Sequence, residues 1–305
     1  MPRFTLRQLE YLSACIECRS VAAAAEKLNV SQPTISVAIA KLEAQLGVQL
    51  LLRHHSQGVS PTPSAEDILP LARSLLAHSA DLERQAMLTG TKVAGQIRLG
   101  SFTTLAPVVL PGLIQALGQT YPDIQLQIQE GSQEFLLSSL ADGRLDLALL
   151  YNIGLPTSLR CVHLADRAPY VALPEHHALA GQADVSLAEL VDLPLILLDV
   201  APSRAYFLGL FEAVGLKPKI GHSSPSLELV RGMVGHGLGY SILVTRPHGD
   251  QTHDGRRLTI RPLRDQVQCS SMVLASLQNL RPTRLISSFE ALAVNALLNA
   301  NAPSS

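Results

Sequence analysis

Apolar residues recur at helical spacing through roughly the first ninety positions, then give way to short apolar runs that alternate with helical stretches. Leu6, Leu9, Leu12 and Ile16 fall three or four apart, which predicts an amphipathic helix. Ser20 can cap a second helix through Ala22 to Leu28, and Asn29 and Val30 leave room for only a short turn. Ser31 then caps a third helix, where Pro33 is tolerated because first-turn N–H groups lack intrahelical partners anyway. Ile35, Ile39, Leu42 and Leu46 form its apolar stripe, leaving Gln32, Thr34, Ser36 and Lys41 on or beside the open face. Gly47 stops it, and Leu50 to Arg53 can pair with Val59 to Pro61 as a hairpin about Gly58.

A seam follows: Ile68, Ala72, Leu75, Ser79, Leu82 and Ala86 are spaced four, three, four, three and four, widened by Leu69 and Leu76. This predicts one long helix that pairs with a second copy of itself, with Pro70 accommodated near its start. After Gly95 the period changes. Strand-like runs at 97–100, 124–128 and 145–150 alternate with helical runs at 108–117 and 135–140. A second set follows, with strands at 170–173, 195–198, 219–222 and 240–244 and helices at 206–214 and 227–234. This succession predicts parallel sheet, and the two sets resemble the lobes of periplasmic-binding-protein substrate domains, a resemblance that implies a second lobe inserted in the first with crossings near Ala165 and Gln268. The chain would return through 271–276 and close with a helix from Pro282 to Leu298.

Composition adds limits. With 305 residues, 47% hydrophobic and 16% charged, the chain is foldable and long enough for two or three units. The net charge is −1, and residues 1–95 carry nine Lys/Arg against eight Asp/Glu, so no bulk positive field advertises nucleic acid. Any DNA contact must be local. The polar start and the lack of a long uninterrupted apolar run predict a cytoplasmic protein, and four cysteines give no disulfide framework.

Two helices joined by so tight a turn predict a helix-turn-helix, and the third helix presents short polar side chains in its first turn, suited to the major groove. Gln32 has the bidentate amide that reads adenine; Ser31, Thr34 and Ser36 can reach phosphates or bases, and Lys41 and Arg53 the backbone. The run Ala24-Ala25-Glu26-Lys27-Leu28-Asn29-Val30-Ser31-Gln32-Pro33-Thr34-Ile35-Ser36, with Ile39, Leu42-Glu43 and Leu46-Gly47 after it, closely resembles the LysR-type transcriptional regulator family over nearly the whole chain. Two departures stand out. Val37 occupies a position where the family often has arginine, and it offers a thymine methyl contact in place of a fork to guanine. His54-His55-Ser56-Gln57 fills a wing where arginine is common.

The resemblance implies an all-α winged helix-turn-helix (1–62), a linker and dimerisation helix with hinge (63–94), and an α/β two-lobed periplasmic-binding-protein-like effector domain (95–300). Lobe I would span about 95–165 and 269–300, and lobe II about 166–268. It also implies a homodimer through the linker helix, a homotetramer, double-stranded DNA with a two-fold symmetric promoter site, and contact with RNA polymerase as one route of action.

In open parallel sheets ligands sit beyond the carboxyl ends of strands, where helix amino termini converge. Ser101, Phe102, Thr103 and Thr104 follow the first strand, Tyr151 and Asn152 end another, Ser203 and Arg204 follow the 195–198 strand, and Ser224 and Ser226 precede a helix. Hydroxyls, free amides and an Arg204 fork predict a small anionic metabolite between the lobes. The competing reading keeps Ser203 and Ser226 as helix caps and Arg204 as solvated.

Other chemistry is less supported. Cys15 and Cys18 form a lone C-x-x-C without further zinc ligands, and fit core packing. His248 and His253 fall in a surface-loop segment, so no metal is expected. No nucleophile motif, phosphate loop or carboxylate pair supports catalysis, and no cofactor is predicted. Cys161 and Cys269 lie near the two crossings, which leaves a cytoplasmic solute-binding or redox-sensing protein of the same two-lobed fold as the alternative.

Overall fold

The computed structural model describes residues 3–54, 58–87 and 93–300. The first helix, α1 (Leu6–Cys18), opens with a reciprocal cap: Gln8 N–H donates to Thr5 Oγ1, and Thr5 N–H to Gln8 Oε1. Ser20 caps α2 (Val21–Lys27) by accepting from Ala23 N–H, and Ser31 caps α3 (Gln32–Leu46) by accepting from Thr34 N–H. The α3 stripe buries Ile35, Ile39 and Leu42 against Leu9, Leu12, Cys15 and Ala24, so Cys15 is a core residue. Buried Gln8 joins α1 to α3 by donating to the Ala38 carbonyl at 3.3 Å.

The wing pairs β1 (Leu51–His54) antiparallel with β2 (Gly58–Pro61). Glu43 holds it on α3 by accepting from Leu50 and Leu51 N–H at 2.8 and 3.1 Å. Gly58 adopts φ +83°, and a Cβ there would sit 2.1 Å from the Arg19 carbonyl, so only glycine lets the wing close on α1.

The linker helix α4 (Pro63–Met87) runs through Pro70. Here the seam read from the sequence needs correction. Ile68 and Ala72 are consumed by the core of the helix-turn-helix, together with Ala65 and Leu76. Leu75 and Leu82 of that seam stay 47% and 69% exposed and Leu71 joins them at 45%, so the outward stripe keeps Leu75 and Leu82, loses Ile68 and Ala72 and adds Leu71. The reason is local: a helix that leaves the wing at Thr62 must first bury a face against its own domain.

Lobe I is built from β3 (Gly95–Phe102), α5 (Ala106–Thr120), β4 (Ile124–Gly131), α6 (Gln133–Ala141), β5 (Leu147–Tyr151) and β6 (Leu159–Arg167). Lobe II follows with β7 (Tyr170–Pro174), a 3-10 turn at Ala178–Gly181, α7 (Leu187–Leu190), β8 (Pro194–Leu198), α8 (Ser203–Glu212), β9 (Lys219–Ser224), α9 (Leu227–Gly235), β10 (Ser241–Leu243) and β11 (Leu258–Pro262). The chain returns to lobe I as β12 (Ser270–Leu277) and α10 (Arg284–Ala300). The lobe I sheet has the order β4-β3-β5-β12-β6.

The sheets are mixed rather than parallel throughout. β3 runs parallel to β4 and β5, and β8 to β9, but β12 is antiparallel to β5 and β6, and β7 to β10 and β11. A strand that crosses back from lobe II enters lobe I reversed, which the alternation of strand and helix does not reveal. Strands β6 and β11, absent from the sequence reading, supply the outgoing and incoming crossings. Arg160 on β6 forks onto buried Glu290 of α10 at 2.6 and 2.8 Å and clamps the edge of lobe I.

Candidate functional site

The amino-terminal turn of α3 is open. Ser31, Gln32, Pro33, Thr34, Val37 and Lys41 are exposed, and Ser36 is half-buried. Val37 is 68% exposed, an apolar tip on the open face of α3. Ser31 Oγ and Thr34 Oγ1 lie 2.7 Å apart and brace one another at the helix start. Arg53 and His54 are exposed on the wing, with His54 Nε2 held by Ser60 Oγ at 2.8 Å; His55 lies outside the described residues.

The fold adds cations that no motif marked. Arg3 and Arg7 line, with Tyr11, Thr34, Val37 and Lys41, a groove of about 580 Å³ between the start of α1 and α3. Arg7 lies over the Tyr11 ring at 5.6 Å, which aims its charge at the same face as Lys41. Their only sequence signal is two arginines just before and inside the first apolar stripe. A local basic rim therefore borders the polar helix turn in a chain of nearly zero net charge.

Between the lobes, Thr104, Tyr151 and Thr245 converge. Tyr151 Oη lies 2.6 Å from Thr245 Oγ1, which donates to Thr104 Oγ1 at 3.2 Å. Tyr170 Oη donates to the Thr245 carbonyl at 2.8 Å. Burial pushes the Tyr151 phenol up to about 12, against the opposing pull of Thr245 and the positive charge of Arg167. Burial likewise raises Tyr170, opposed by Arg231 and Arg246. Arg167 is thus the cation that acts on Tyr151, while Arg231 and Arg246 are paired with Glu228 and Asp250; no motif in the sequence marked these residues, Thr245 or Tyr170.

The other candidate residues divide. Ser101 and Phe102 are buried, with Phe102 edge-on to Tyr151 at 6.1 Å, while Thr103 is exposed in the turn that follows β3. Asn152 is exposed and fixed through its N–H to the Ser271 carbonyl. Ser203 is buried at the start of α8 and is not its cap, which is Pro202. Ser224 is buried and accepts from Ser226 N–H; Ser226 caps α9 by accepting from Leu229 N–H. Arg204 is not the free fork expected: it is exposed and held by Asp199 at 2.6 Å. Tyr206, one turn beyond Ser203, donates to the Gln268 carbonyl at 2.6 Å and joins α8 to the returning crossing.

The cysteine pair at the crossings does not assemble. In the antiparallel register Cys161 faces Ala275, whereas Cys269 precedes Ser270, which faces Arg167. Six residues of strand, about 20 Å, separate them, far beyond the ~7 Å limit for a bridge. Burial also raises the Cys161 thiol, which lowers its thiolate fraction. Among the described residues no group of three or more His, Cys, Asp and Glu side chains is arranged to hold a metal ion, and no helix is long and apolar enough to cross a membrane.

An exposed helix-turn-helix, a linker helix and a two-lobed domain with a polar cluster between its lobes define a DNA-binding regulator with an effector domain. Residues 6–66 match the bacterial regulatory helix-turn-helix protein, lysR family, and residues 90–297 the LysR substrate binding domain. The chain belongs to the LysR family of transcriptional regulators, a family of regulators rather than enzymes whose members bind DNA and small effectors and form oligomers.

Among its relatives, the DNA-binding transcriptional dual regulator OxyR of Escherichia coli (strain K12) is 33% identical over 239 residues, 78% of each chain. The crystal structure of HinK, a LysR family transcriptional regulator from Pseudomonas aeruginosa, is 42% identical, covers 96% of this chain and 99% of its own, and superposes with a TM-score of 0.66. Full-length OxyR C199D from Pseudomonas aeruginosa is 26% identical over 96% of this chain and 98% of its own, with a TM-score of 0.74.

Proposed function

We propose that the chain reads a two-fold symmetric promoter site through paired α3 helices, and that a small anionic metabolite between the lobes alters that reading. Gln32 contacts a base edge, Val37 a thymine methyl, and Ser31, Thr34, Ser36, Lys41, Arg53, Arg3 and Arg7 the phosphates and sugars. Pairing runs through the outward stripe of α4 at Leu71, Leu75 and Leu82, and a tetramer and contact with RNA polymerase belong to the same reading.

The observation that carries the effector assignment is the Thr104–Tyr151–Thr245 hydroxyl cluster, on which the positive charge of Arg167 acts. Hydroxyls that bond one another across a hinge can turn to a carboxylate, and nearby positive charge selects for an anion. Ser101 and Thr103 at the end of β3 and Ser203 after β8 belong to the same reading, because ligands sit beyond the carboxyl ends of such strands. Calorimetry with a panel of small mono- and dicarboxylates on the full chain tests this: at least one acid binds wild type and is lost in Thr103→Ala/Thr245→Val. Equal binding to both proteins overturns the placement.

A further inference from the structure

Arg73 sits on α4 between the DNA-reading domain and lobe I, and its guanidinium bonds both at once. Nε donates to Ser13 Oγ of α1 at 3.1 Å, and Nη1 donates to the Asp142 carbonyl in the turn after α6. Neither acceptor is a carboxylate. The contact therefore depends on the direction of two fixed N–H bonds in a planar fork rather than on charge alone. Next in the chain, Gly143 adopts φ +63°, and a Cβ there would lie 2.9 Å from Arg73 Cδ and 3.5 Å from Pro70 Cα. Lobe I thus approaches α4 as closely as a residue without a side chain allows.

The same turn is gripped from inside lobe I. Arg98 on β3 donates to the Gly143 carbonyl at 2.8 Å and forks onto Asp146 at 2.6 and 3.2 Å. β3 then runs directly to Ser101 and Thr103 at the cleft. On the other side, α1 is joined to α3 by Gln8 and the Ala38 carbonyl. Around this contact the two bodies stand apart: a cleft of about 1030 Å³ and a second of about 270 Å³ are both lined by Arg73, Arg98 and Leu145. The Arg73 bridge thus lies between two open spaces.

The geometry points to Arg73 as a positioning residue that links the sensing lobe to the DNA-reading helix through the Asp142–Gly143 turn. This rests on the reading of α3 as the DNA contact. Motion of β3 at the cleft passes through Arg98 to the turn, and Arg73 delivers it to Ser13 and hence to α1 and α3. Coupling of this kind is reciprocal, so DNA binding must be felt at the turn.

The test is hydrogen exchange of the full chain with and without a duplex selected from genomic fragments. The reporters are Gly143, Arg144 and Leu145 N–H, which bond the Leu140 and Ser139 carbonyls. Duplex binding is expected to change their exchange in wild type, and the change is expected to be lost in both Arg73→Met and Arg73→Lys while the duplex still binds. Lysine keeps the charge but not the fork, so a response restored by lysine overturns the proposal, as does a response that survives in both variants or is missing in wild type that binds duplex. Gly143→Ala provides a second handle: it is expected to change duplex affinity with Arg73 intact, and unchanged affinity and exchange count against the relay. Failure of wild type to bind any duplex instead removes the DNA-reading assignment itself.

Discussion

Thr245 Oγ1 and Tyr151 Oη meet at 2.6 Å although 94 positions separate them, and they join the two lobes from opposite sides. Valine at 245 leaves a buried phenol short of a partner, an effect of about 1–3 kcal/mol, whereas Tyr151→Phe removes the phenol with it. In a double-mutant cycle by urea unfolding the pair is expected to couple by about 1 kcal/mol. A coupling of zero would show the contact to be incidental.

The buried phenols also set the alkaline limit of stability. Tyr151 and Tyr206 are both pushed up to about 12 by burial, from an ordinary 10.0. Between these values the unfolded chain has released the proton and the native one has kept it, so the native state binds more protons and stability falls as pH rises. The contribution is intact below pH 10 and is lost through about pH 12. Phenolate absorbance followed with unfolding across that window should show Tyr ionisation and loss of structure together.

On α3, Gln32→Ala is expected to cost about 1–3 kcal/mol of duplex affinity at one base position and relax selectivity there. Lys41→Ala should weaken all sequences alike and reduce the salt slope by about one. Anisotropy titrations over a salt series separate the two. Identical profiles for both variants would remove Gln32 from base reading.

Dimerisation should reside on the exposed stripe of α4. Leu75→Glu and Leu82→Glu place charge where a partner helix would bury leucine, and sedimentation should shift toward monomer with little loss of thermal stability. Ile68→Glu should instead unfold the amino-terminal domain, because Ile68 packs on its core.

Alkylation will rank the thiols. Burial raises Cys15 from 9.0 to about 11, which lowers its thiolate fraction about 100-fold near neutral pH. Native protein should label at exposed Cys269 long before Cys15, and peroxide followed by a non-reducing gel should show no Cys161–Cys269 bridge within the chain.

What the sequence settled by itself was local. Ser31, Pro33 and Gly47 mark the limits of α3 because capping and chain breaking act within a few residues, and the spacing of Ile35, Ile39 and Leu42 decides which face stays open. The same local grammar placed the strands of the effector domain near their observed positions. It could not show that β12 returns antiparallel, since strand direction depends on where the chain re-enters the sheet. Nor could it tell that Ile68 belongs to a core while Leu75 faces outward, because helical spacing gives a stripe but not what the stripe meets. Thr245 reaches Tyr151, and Arg73 reaches Asp142, only after distant segments have packed. Long-range hydrogen bonds carry no period along the chain, so tertiary structure alone decided the cleft floor and the bridge between the two domains.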